Sequence, residues 1–131
     1  MPAAILLTVA GVFVARTAFA KVMQNTIDPV ARVTDNGRHL IVTGPLRCDQ
    51  SQRTPVRVTV TQRSTGALAE GQIFVDCSTT VQQWEVHAFA QGKETFEEGP
   101  ATATALARTS IGHGESDDAH QWLVNITLVR E

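Results

Sequence analysis

Two cysteines and four histidines carry most of the chemistry open to this chain. Cys48 and Cys77 are its only thiols, so one intramolecular bridge is the most they can form. There is no C-x-x-C pair, and two cysteines 29 positions apart make a poor zinc or redox site. In an oxidising compartment they are expected to form a disulfide. It would close a loop of about 30 residues, worth about 3.5 kcal/mol by chain entropy. The most polar stretch holds His113, Glu115, Asp117 and His120. In an extended segment His113, Glu115 and Asp117 share a side, which suits a divalent metal. The calcium frame D-x-[DN]-x-[DN]-G is absent, however, and zinc asks for ligands on rigid, supported elements. The expectation is a solvated connection, with metal binding through these four residues as an alternative.

Catalytic arrangements are missing from the pattern. No G-x-S-x-G elbow presents a serine. His39, His87, His113 and His120 could each meet a carboxylate in space, but their spacing singles out no such pair. A glycosidase pair among Glu85, Glu94, Glu97 and Glu98 would need a cleft that a thin all-β domain does not offer. With no phosphate loop and no dinucleotide fingerprint, no cofactor and no enzymatic activity are expected. Net charge is −2 and the pI is about 6.1, which lacks the footprint of a nucleic-acid binder. Arg47, Arg53, Arg57 and Arg63 read as a solvated sheet face whose arginines blunt an edge strand. Phe96, among Glu94, Glu97 and Glu98, is expected to plug the core with the carboxylates in water.

The elements that hold these residues follow a targeting segment. Residues 3–15 are apolar apart from Thr8, too short a run for a bilayer-spanning helix of about 20 residues. Ala18 and Ala20 then occupy the small positions of an A-x-A cleavage site. Residues 1–20 are therefore expected to be a signal peptide and residues 21–131 the exported domain, with no membrane span in the mature chain.

Beyond residue 20 the dominant period is two. Val56, Val58 and Val60 alternate with Arg57, Thr59 and Thr61. Similar runs cover residues 39–48, 71–77, 81–89, 101–108 and 121–129, and residues 30–34 form a seventh candidate. Asn36-Gly37, Ser64-Thr65-Gly66, Gln91-Gly92-Lys93 and Gly99-Pro100 supply the turns. About seven strands at this spacing predict an all-β domain, an antiparallel Ig-like β-sandwich pinned by one disulfide.

The order Val42-Thr43-Gly44-Pro45-Leu46-Arg47-Cys48, residues 56–62, Asp76-Cys77, Trp84-Glu85-Val86, and Phe96 with Gly99-Pro100-Ala101 resembles small secreted β-sandwich proteins of actinobacteria whose activity is uncharacterised. That resemblance implies export and an Ig-like sandwich, and no activity. The expected protein is extracellular or held in the periplasm or cell envelope. It is a non-enzymatic binding or structural module for a protein or glycan. An inhibitor of extracellular hydrolases, presenting residues 49–55 beside the disulfide, is the other class left open.

Overall fold

The computed structural model describes residues 22–109 and 118–131. The described chain forms eight strands: β1 (Val22–Asn25), β2 (Val30–Thr34), β3 (His39–Cys48), β4 (Gln52–Gln62), β5 (Ala67–Cys77), β6 (Gln82–Gln91), β7 (Gly99–Thr109) and β8 (Asp118–Arg130). The only helical turn among these residues is the three-residue Asp35–Gly37. Asp35, Asn36 and Gly37 all take positive φ there, as the Asn-Gly hairpin signal anticipates. No helix among the described residues is long and apolar enough to cross a membrane. The signal segment expected at residues 1–20 lies outside the described residues.

The sheet closes on itself. β3, β2, β8, β7, β4, β5 and β6 follow one another, and β6 pairs back onto β3. The result is a seven-strand barrel, where the sequence led to an antiparallel sandwich of two sheets. Strand direction accounts for one further departure. A closed ring of seven strands cannot alternate throughout, so at least one junction must be parallel. That junction is β2–β8, with Val30 opposite Thr127 and Val33 opposite Arg130, and the other six are antiparallel. Period two fixes which side chains face inward, and it does so equally in a sandwich and in a barrel. Closure depends on pairing the first barrel strand with the last, which no local pattern reports.

The interior is filled by alternate residues. Val56, Val58 and Val60 of β4, Ala101, Ala103, Ala105 and Ala107 of β7, and Leu40, Val42 and Leu46 of β3 are all buried. The small alanines of β7 share the interior with the large, fully buried Trp84 and Leu128, the mixture of small and large side chains of a narrow barrel. Trp84 lies against Gly44, where an added Cβ would come within 2.6 Å of its ring, and its Nε1 donates to the Pro45 carbonyl at 3.3 Å.

One end of the barrel is plugged. Phe96 is buried there, and its amide donates to the Gly37 carbonyl at 2.9 Å. Gln62, also buried, ties the plug down. Its amide nitrogen donates to the carbonyls of Glu97 (2.9 Å) and Pro100 (3.2 Å), and its oxygen accepts from the Glu97 amide (2.9 Å) and Thr65 Oγ1 (3.1 Å). At the other end the Cys48–Cys77 disulfide joins β3 to β5, with 5.6 Å between Cα atoms. The Cys48 amide also donates to the Ser78 carbonyl at 2.8 Å.

Candidate functional site

The bridged end presents the first candidate. β5 pairs with β4 from Ala67 to Cys77, but with β6 only over Leu68, Glu70 and the residue between them. The β6 ladder stops next to Gly71, where an added Cβ would lie 2.2 Å from the His87 carbonyl oxygen. Past that close approach Gln72, Ile73 and Phe74 are exposed, and Val75 and Cys77 are buried again. Ile73 has inward parity yet is 39% exposed, and Phe74 beside it is 51% exposed. The Arg53 guanidinium sits 4.9 Å from the Phe74 ring centre, a cation–π contact across the β4–β5 pair. The disulfide at Cys77 fixes the strand end carrying these side chains.

The second candidate lies on the outer face of β3 and β6, near the plugged end. The register puts His39 opposite Phe89, Ile41 opposite His87 and Thr43 opposite Glu85, with Thr34 of β2 on the other flank of His39. His39 Nε2 lies 2.8 Å from His87 Nδ1, and His87 Nε2 lies 2.9 Å from Glu85 Oε2. Thr34 Oγ1 is 3.4 Å from His39 Nδ1.

Proton positions follow from donor chemistry. A carboxylate only accepts, so His87 Nε2 carries hydrogen and its Nδ1 offers a lone pair. His39 Nε2 then donates to that lone pair, and the Thr34 hydroxyl donates to His39 Nδ1. The imidazole centroids are 4.9 Å apart with 15° between planes. That separation is close to the nitrogen spacing plus two ring radii, so the imidazoles meet edge to edge rather than face to face. Phe89, directly opposite His39 and on the same strand as His87, also lies against the His39 ring, with centroids 4.9 Å apart and 20° between planes. Below this array Asp28 Oδ2 accepts from Thr43 Oγ1 at 2.6 Å and from Gln83 Nε2 at 2.7 Å.

The residues singled out in the sequence fare differently. Cys48 and Cys77 are joined. His113, Glu115 and Asp117 lie outside the described residues, and His120 stands in β8 opposite Ala107. Among the described residues no set of three His, Cys, Asp or Glu side chains is placed to hold a metal ion. Of residues 49–55, only 49–51 form a connection, because Gln52 to Pro55 already pair with Cys77 to Phe74. Arg57 does not guard an edge: β4 is paired on both sides, and Arg57 forms an exposed 3.5 Å ion pair with Glu70 of β5. Phe96 plugs the barrel as expected.

Glu85, His87 and Phe89 share one side of a strand by alternation alone, and that much was visible in the sequence. His39 joins them only through the β3–β6 register, and Gln62 gives no sequence signal of its role. A shallow open groove of about 970 Å³ near the β4–β5 turn, lined in part by Arg63, Leu68, Thr102 and Asn125, holds no comparable cluster. Set against protein-family models and against curated proteins, the chain finds no match in either.

Proposed function

We propose that this protein is an exported, non-enzymatic binding module that contacts a protein partner through its bridged end. Phe74 carries the reading. It is a half-exposed aromatic ring on the outer face of β5, contacted by the Arg53 guanidinium and three residues from the disulfide, with Ile73 exposed on the opposite face of the strand. Aromatic and arginine side chains dominate the energetics of protein interfaces. A surface already fixed by a covalent bond loses little freedom on binding. The filled interior supports the same reading, since it leaves recognition to the surface. Export is supported by the disulfide together with the apolar run at residues 3–15 and the Ala18-x-Ala20 pattern.

Two measurements test this. Mass spectrometry of the protein recovered outside the cytoplasm should find a chain beginning at Lys21, with no free thiol before reduction. A full-length cytoplasmic chain with two free thiols would sink the export half. For the binding half, a photoreactive phenylalanine analogue replaces Phe74, and in a second protein replaces Leu123, which is 62% exposed on β8. A discrete protein adduct is expected from position 74 and none from position 123. Equal labelling from both, or none from position 74, overturns the assignment.

A further inference from the structure

We propose that His39 Nε2 and His87 Nδ1 together chelate a divalent transition-metal ion, with copper(II) preferred over zinc(II). The inference concerns the outer face of β3 and β6 and is independent of the bridged end. The two nitrogens are 2.8 Å apart on different strands, with one hydrogen between them. A metal at about 2.0–2.1 Å from each nitrogen subtends roughly 85–90° at that spacing. Once the rings have turned, the pair can fill two neighbouring positions of one ion, and copper(II) is preferred because nitrogen sites bind it more tightly than zinc(II) in the divalent series. Each ring turns so that its lone pair meets the ion, and His87, with 47% of its side chain exposed, has room to do so.

The surroundings already serve such a site. Glu85 holds the Nε2 hydrogen of His87, the carboxylate–histidine arrangement that fixes the tautomer and ring orientation of a metal ligand. Because it sits behind His87, Glu85 orients the ligand and stays out of the coordination shell, in keeping with the lack of any three-residue metal set among the described residues. On the other side, the hydrogen displaced from His39 Nε2 moves to Nδ1. The Thr34 hydroxyl turns from donor to acceptor to receive it, so chelation requires no net proton loss. Water fills the remaining positions on this open face.

The test is titration of the oxidised protein with copper(II), followed by electron paramagnetic resonance, with zinc(II) titrated in parallel. One copper per chain bound by two imidazole nitrogens is expected, more tightly than zinc. H39Q and H87Q should each weaken copper binding roughly tenfold or more, and E85Q about tenfold. The double variant H113Q/H120Q should leave it unchanged. Unchanged binding in H39Q and H87Q overturns the proposal, as does loss in H113Q/H120Q, tighter zinc than copper, or no saturable copper binding. If a variant fails to fold, the wild-type protein still decides. Substoichiometric copper should broaden the ring-proton resonances of His39 and His87 before any others, and broadening that starts elsewhere refutes the site.

Discussion

Along β4 the chain makes eleven pairs with β5 and six with β7, and β7 makes eleven with β8, whereas β5 makes three with β6. The first group forms a continuous wall. Its inner face is mostly Val and Ala on β4, β5 and β7, with Ile126 and Leu128 on β8, and the small side chains let the strands curve tightly. At the β5–β6 junction the ladder ends at Gly71, and Ile73 and Phe74 remain exposed. Here a covalent bond from Cys77 to Cys48 ties β5 to β3, the strand on the far side of β6. β2–β3 also makes only three pairs, but there β2 itself is five residues long, whereas β5 runs on for seven residues past its last pair with β6, and it is this unpaired run that the disulfide spans. The released stretch is where side chains become available to a partner.

The strongest way to break this contrast is to remove the bridge. Replacing Cys48 and Cys77 together by Ala is expected to lower unfolding stability by about 3.5 kcal/mol. Urea unfolding of the oxidised and substituted proteins reads the change. The entropy returned to the unfolded chain speeds exchange everywhere, and beyond that shared change exchange should quicken most in residues 71–77 and 82–88 and least along β7 and β8. Uniform quickening would mean that the disulfide steadies the whole barrel through the unfolded chain and has no special tie to the short ladder.

Gln62 tests the opposite end. Gln62→Ala removes four hydrogen bonds and leaves the Glu97 amide and the Glu97 and Pro100 carbonyls without that partner. A loss of about 2–3 kcal/mol is expected. Exchange should rise in residues 92–98 and at the β4–β5 turn while the bridged end stays as it was. A loss below about 0.5 kcal/mol would show that Phe96 alone retains the plug, since surface-like changes fall in that range.

How much of this could be read beforehand depends on the range of the interaction. Val56, Val58 and Val60, or Ala101 to Ala107 by twos, declare their inward face locally, because side chains alternate along any strand. Asn36-Gly37 declares its turn in the same way. The disulfide followed from there being only two cysteines. Barrel closure did not follow, since it rests on β2 meeting β8 from the other end of the chain. Nor did the His39–His87 contact, which needs the β3–β6 register: a one-residue slip would turn one of the two rings inward. Gln62 was invisible for a related reason. An inward glutamine looks like an error of pattern until the four groups that satisfy it are assembled around it.

Gly71 sharpens the contrast at the point where the ladder stops. Gly71→Ala puts a Cβ 2.2 Å from the His87 carbonyl oxygen and 2.8 Å from Val86 Cγ1, so β5 and β6 must separate. The expected cost is about 1–3 kcal/mol. Exchange at residues 86–90 should rise before that of β7. If stability is unchanged, the junction is loose enough to absorb a methyl group, and the close approach at Gly71 is not what ends the pairing.

The smallest effect belongs to the wall. Arg57 and Glu70 form a 3.5 Å ion pair diagonally across β4 and β5, with side chains 57% and 40% exposed. Their attraction acts through water and salt, and holding two long side chains together costs entropy. The strands beneath are already fixed by eleven pairs and a buried valine face. Arg57→Ala is therefore expected to change unfolding stability by no more than about 0.5 kcal/mol, with the double variant Arg57→Ala/Glu70→Ala no different from the sum of the singles. Should the double-mutant cycle give a coupling above about 1 kcal/mol, surface charge would be helping to hold the wall. The contrast between a wall fixed by its ladders and a junction fixed by its disulfide would then have to include electrostatics on both sides.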